Sequence, residues 1–165
     1  MSAAHLVRRF LGSLRPGGPP KGEVAWVGAQ LLPGERALWD AMPGPDRRHS
    51  ALVARRVEAA LGAEATRPVL AAALLHDVGK ATSGLRTPGR VVATLTAGIL
   101  GRERVVGWDS AIGRYVRHDV DGARLLEGAG SDPLTVAWAR EHHQPASTWT
   151  VPAPLAAALK AADDD

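Results

Sequence analysis

The sequence predicts an all-α domain, and three observations carry that prediction. Apolar residues recur at helical spacing in successive segments, and sustained two-residue alternation is lacking. Ala and Leu supply much of a hydrophobic fraction of 45%, while aromatic residues make up only 4%, a balance that favours helices over a sheet. Pro, Thr, Ser or Asp stands ahead of most of the apolar runs, where helices start.

The length of 165 residues suits one domain with a real core. The formal charge of +3 is mild and its basic residues are spread along the chain, so no nucleic-acid partner is expected. With no Cys there is no disulfide framework, thiol nucleophile or Cys-based zinc site. Residues 1–20 carry Arg8-Arg9 but no apolar core of signal-peptide length. The longest apolar stretch, 91–100, is too short to span a bilayer. The expectation is a cytoplasmic protein without a membrane partner; its oligomeric state is not legible.

Residues 1–22 read as an N-terminal helix over 6–14 and a Pro/Gly linker, ahead of a single domain over 23–165. Residues 23–32 suggest a short strand or an extended segment, because of Val24, Trp26 and Val27. Pro33 opens a helix that runs to Met42, and Pro43-Gly44-Pro45 ends it. Asp46 is placed as N-cap of a helix over 47–61, with a buried stripe of His49, Leu52, Val53, Val57 and Ala60. Arg47, Arg48, Arg55 and Arg56 read mostly as its solvated face, with Arg47 or Arg48 in reach of a phosphate. Thr66 and Pro68 start the next helix.

A loop over 81–88 follows. Thr87 and Pro88 then open a helix to about Leu100, whose apolar residues at 91, 92, 95, 99 and 100 are assigned to the core. Residues 101–107 read as a turn region, Trp108 as packing, and 110–116 as helix. If His118 starts a helix, Gly122 lies one turn on and lets a neighbouring backbone approach closely. Ser131-Asp132-Pro133 starts a helix ending near Glu141, Pro145 forces its end, and Pro154 opens the last helix.

The chemistry centres on residues 71–80, an apolar run closing in His76-Asp77-Val78-Gly79-Lys80. Positions 69, 73, 76 and 80 share a helix face, with 70, 74 and 77 beside it, so the stripe that buries Val69 and Leu74 also carries His76, Asp77 and Lys80 inward. A buried imidazole beside a buried carboxylate is costly unless compensated, and a metal ion would compensate it. The alternative is a helix ending at a Gly cap with an imidazole near its negative end. His49 taken alone reads as a core residue more readily than as a ligand, His118 can be read as a capping imidazole, and in the acidic tail Asp164 and Asp165 read as solvated carboxylates. Adjacent helical residues point about 100° apart, so His142 and His143 can share one metal cluster only near a helix end.

The ordered set His49, His76-Asp77, His118, His142-His143 and Asp163 resembles the HD-domain superfamily of metal-dependent phosphohydrolases, above all its two-metal branch. The likeness runs over 46–163 and includes His76-Asp77-x-Gly79-Lys80, His118-x-x-x-Gly122-Ala123 and the closing Ala162-Asp163. It implies a helical bundle with one ion on His49, His76, Asp77 and Asp163 and a second on His118, His142 and His143, bridged by Asp77. Asp164 is the fallback for Asp163. The implied reaction is hydrolysis of a phosphate ester of a nucleotide or related small molecule by a metal-bridging hydroxide, with Asp77 and Lys80 catalytic. So nitrogen-rich a set suits Mn, Fe, Co, Ni or Zn better than Mg or Ca.

Two departures matter. The cyclic-dinucleotide phosphodiesterase branch follows its His doublet with Gly-Tyr-Pro, where this chain has Gln144-Pro145-Ala146-Ser147. That branch can also place a Glu four residues before its first His, where this chain has Pro45. Neither a third metal nor a cyclic-dinucleotide substrate is therefore expected. Some HD-fold proteins hold a mixed-valence di-iron pair and oxidise C–H bonds; the doublet and Lys80 favour hydrolysis. A non-catalytic binding module is the third reading, and the complete ligand set argues against it.

Overall fold

The computed structural model describes residues 17–164, so the basic segment at 6–14 lies outside the described residues. Among the described residues there are ten α-helices and no strand, and no helix is long and apolar enough to cross a membrane.

The first helix, α1 (Lys21–Gln30), replaces the strand or extended segment expected there. The reason is tertiary. Arg55 holds Glu23 through two nitrogens at 3.0 and 3.2 Å, and its guanidinium lies 3.6 Å from the centre of the Trp26 ring. On a helix Glu23 and Trp26 are one turn apart and meet the same arginine, which outweighs the β preference of Val24 and Val27. Next comes α2 (Pro33–Ala41), which buries Trp39 fully and gives its indole N–H to Ser50 Oγ at 3.0 Å.

In α3 (Gly44–Leu61) the helix begins before Asp46, whose carboxylate caps nothing and instead receives both terminal nitrogens of Arg90 at 2.7 and 2.6 Å. Its buried face is also turned from the expected one. Ser50, Ala51, Val53, Ala54 and Val57 are inside, while Leu52 is 51% exposed and Ala60 is exposed. Small Ala51 and Ala54 allow the close approach that a Leu52 face would block.

At the centre lies α4 (Arg67–Leu75), packed against α3 and against α9 (Pro133–Glu141), with every residue from Val69 to Leu75 buried. A 3₁₀ turn (Val78–Ser83) takes up the start of the expected loop. It docks on α8 (His118–Gly128) through two glycines. A Cβ on Gly79 would stand 1.9 Å from the His118 carbonyl oxygen, and one on Gly122 would stand 3.1 Å from the Gly79 nitrogen. Side chains at this crossing would separate the two backbones.

The remaining helices are α5 (Thr87–Leu100), α6 (Arg102–Val105), α7 (Ala111–Val116) and α10 (Ala153–Asp164). The short α6 stands within the expected turn region. The core assignment for α5 is overturned. Val91, Val92, Leu95, Ile99 and Leu100 are all exposed, and Ala93 is the residue this helix buries. Its main neighbours are the short helices α6 and α7, too little structure to cover an apolar face. Trp108, expected to pack, is likewise exposed.

Candidate metal centre

Five helices bring the predicted residues together at the end of α4. The helix stops at Leu75, and the chain tightens at His76-Asp77 into the 3₁₀ turn. His49 comes from α3 and Asp163 from the last turn of α10, which packs on α3. His118 is the first residue of α8, held there by the Gly79–Gly122 crossing. His142 and His143 follow α9, where the backbone turns.

Asp77 is the shared member. Its Oδ1 lies 3.4 Å from His118 Nε2 and 3.6 Å from His142 Nε2, while its Oδ2 lies 3.4 Å from His76 Nε2. His118 Nε2 is also 3.1 Å from His143 Nε2. On the other side, Asp163 Oδ1 is 3.0 Å from His49 Nε2 and 3.5 Å from His76 Nε2. Two sets result, Asp77 with His118, His142 and His143, and Asp77 with His49 and His76; within each, ligand atoms lie within 4.8 Å of one another. Asp164 takes no part, being paired with Lys160, so the fallback is not needed.

The HD domain family model matches residues 48–164 of the chain, which are the residues that carry this cluster. The chain belongs to the HD domain family. No curated protein and no solved structure matches it.

Three imidazoles of the HD domain are oriented in the same way. His76 Nδ1 lies 2.9 Å from the Ala73 carbonyl, His118 Nδ1 2.7 Å from that of Tyr115, and His142 Nδ1 3.0 Å from that of Ala139. A carbonyl only accepts, so each Nδ1 carries a proton and each Nε2 faces the cluster, where the metal-binding form of the ring would present its lone pair. Backbone carbonyls orient metal-bound histidines in this manner. His76 Nε2, His142 Nε2 and Asp77 Oδ1 are buried and make no hydrogen bond. Orphaned polar atoms are costly, and three of them face one space. A divalent cation would satisfy all three, so the residues present fit the group the family binds.

The electrostatics agree. Burial pulls the His76 imidazole down, but the Asp77 and Asp163 carboxylates override it and push it up to about 10. Burial raises the Asp77 carboxyl, yet Lys80 and His76 outweigh that and hold it well below the usual range. Asp163 is depressed too, by His76 above all and by His49, against the burial that raises it. Burial lowers His142, which has only a share of Asp77 to offset it. Lys80 Nζ lies 2.5 Å from Asp77 Oδ2. Metal-free, the cluster thus carries its surplus proton on His76, where an arriving cation would displace it.

Sequence reading missed several supports. Arg56, assigned to solvent, donates to the Ala162 carbonyl at 3.2 Å and holds the end of α10 beside Asp163. Asp119, next to His118, is buried against Arg102 at 2.8 Å. Arg48 donates to the Gly17 carbonyl, and Arg47 lies over Trp39, so both have partners away from the cluster. No local signal announces these contacts, because the partners are far apart in sequence.

Proposed function

We propose that this protein is a cytoplasmic metal-dependent phosphohydrolase acting on a phosphate ester of a nucleotide or related small molecule. The observation that carries the reading is Asp77, which offers one oxygen to each of two histidine sets. His49, His76, Asp77 and Asp163 would hold one ion and His118, His142 and His143 a second, from the Mn, Fe, Co, Ni and Zn group. Two such ions supply a water of lowered pKa and a clamp for phosphoryl oxygens.

The protein's own part is orientation and charge. The three Nδ1–H contacts fix the imidazole tautomers. Lys80 keeps Asp77 ionised and holds an ammonium at the cluster's edge, where phosphoryl charge grows as the ester bond breaks. Leu74 and Leu75, which precede His76, and Trp138, whose ring lies against His142, are buried, and dry surroundings strengthen each of these interactions.

The test is elemental analysis of protein purified without chelator, joined to a panel of phosphomonoesters and nucleotides assayed with and without oxygen. The expected result is about two ions per chain and phosphate release that ignores oxygen. Oxygen-dependent turnover would replace the reading with a di-iron oxygenase. Absence of bound metal, with no rebinding, would leave a binding module.

A further inference from the structure

We infer that the alcohol side of the substrate sits in a cavity beside the cluster, and that Arg86 there selects esters whose alcohol part carries an anion of its own. The inference rests on the phosphohydrolase reading and adds a substrate class to it. The cavity has a volume of about 590 Å³, and Lys80 belongs to both places: it lines the cavity and binds Asp77 Oδ2. A phosphoryl group at the cluster therefore has this cavity next to it.

The lining includes apolar Pro43 and Pro45, from the α2–α3 junction, and Leu85. It also includes Lys80, Arg86 and Arg90, and most of that charge is already matched. Asp46 is the carboxylate in the lining, and Arg90 holds it through two nitrogens while its Nε donates to the Leu85 carbonyl at 3.0 Å. Lys80 is matched by Asp77. Arg86 is exposed and has no carboxylate partner among the described residues, so one positive charge of the lining stands uncompensated. Volumes in this range hold ring-sized organic groups, and proline and leucine faces pack against flat rings. A guanidinium binds carboxylate or phosphate in two-point contact.

In the reaction the P–O bond to the alcohol breaks and a P–O bond to water forms. One proton of the water ends on the leaving alcohol. The alcohol's own anion does not change in that step, so Arg86 acts on binding, and its effect falls on KM.

The test compares phenyl phosphate with 4-carboxyphenyl phosphate, which differ by one carboxylate across the ring. The metal-loaded enzyme should prefer the carboxylated ester by at least ~10-fold in kcat/KM, the range of a charge-assisted contact. Arg86→Gln should erase that preference through KM, and Arg86→Lys should keep part of it. Metal content per chain shows that each variant has folded. Binding is read separately by calorimetry with benzylphosphonate and 4-carboxybenzylphosphonate, which cannot be hydrolysed. Equal Kd values for both phosphonates in wild type, or an Arg86→Gln variant that keeps the discrimination, would overturn the assignment. Discrimination between the phosphonates without hydrolysis of either ester would count against the phosphohydrolase reading and leave the anion site standing.

Discussion

Helices α4 and α5 follow one another in the chain and are both dominated by apolar residues, yet they end in opposite surroundings. In α4 every side chain from Val69 to Leu75 is buried; in α5 Ala93 is buried and the Val, Leu and Ile side chains look outward. The difference lies in the neighbours. α3 and α9 flank α4, with further contacts from α1, α2 and α10, and Ala71, Ala72 and Ala73 let them come close. α5 rests on α6 and α7. Apolar periodicity states which face could be buried, and the rest of the fold decides whether it is. The chemistry sits at the end of the helix that is surrounded, because an imidazole–carboxylate pair becomes a strong cation trap only where water is excluded.

The largest expected effect strikes the end of α4. Asp77→Ala removes the one carboxylate common to both histidine sets, so it should abolish metal binding and turnover together. His143→Ala removes a single exposed imidazole that a water could replace, and should cost about 10–100-fold, the size of losing a supporting group. Metal stoichiometry and kcat on the best ester of the panel measure both. An Asp77→Ala protein that keeps two ions and near-normal turnover would sink the bridging role and the two-metal proposal with it.

Next in size is the interior of α4 itself. Leu74 is fully buried, and Leu74→Ala should lower unfolding free energy by about 2–5 kcal/mol. Urea unfolding followed by circular dichroism reads this directly. A loss under ~1 kcal/mol would mean that α4 is less tightly enclosed than its burial shows.

A smaller and more selective effect follows from His76. Its pKa of about 10 lies above the ordinary 6.5, so protonation stabilises the metal-free fold. That contribution is complete below about pH 6.5 and is lost as pH rises through about 10. Metal binding needs the neutral ring and should strengthen over the same interval. Chelator-treated protein should therefore unfold at lower urea near the top of this window than at its bottom, and the metal-loaded protein should not follow it. His76→Gln should flatten the metal-free trend; an unchanged slope would assign it to other groups.

The convergence of the candidate ligands was more legible in the sequence than the packing around them. His49, His76, Asp77, His118, the doublet and Asp163 stand on the inward face or at the ends of helices whose limits Pro, Gly, Thr and Asp mark locally. The all-helical fold was legible for the same reason. The contacts that went unread are non-local. Arg90 reaches Asp46 over 44 positions and Arg56 reaches Ala162 over 106. Arg55 recruits Glu23 over 32 positions and turns a β-prone segment into α1. The buried face of α3 was misread because Leu52 outranks Ala51 and Ala54 in hydrophobicity, while close helix packing favours the alanines.

The smallest expected effect tests the other half of the comparison. Ile99 on α5 is 80% exposed, so Ile99→Ser gives up little buried area and creates no cavity. Its cost should stay within about 0.5 kcal/mol, the usual range for a surface substitution away from special contacts. Serine is only slightly poorer than isoleucine as a helix former, so propensity adds almost nothing. Run beside Leu74→Ala under the same denaturant, the pair should differ by roughly 2 kcal/mol or more. Two aliphatic residues of one size would then be separated by neighbours alone. Should Ile99→Ser instead cost as much as Leu74→Ala, the α5 face must be covered in solution, and the contrast between the two helices would have to be abandoned.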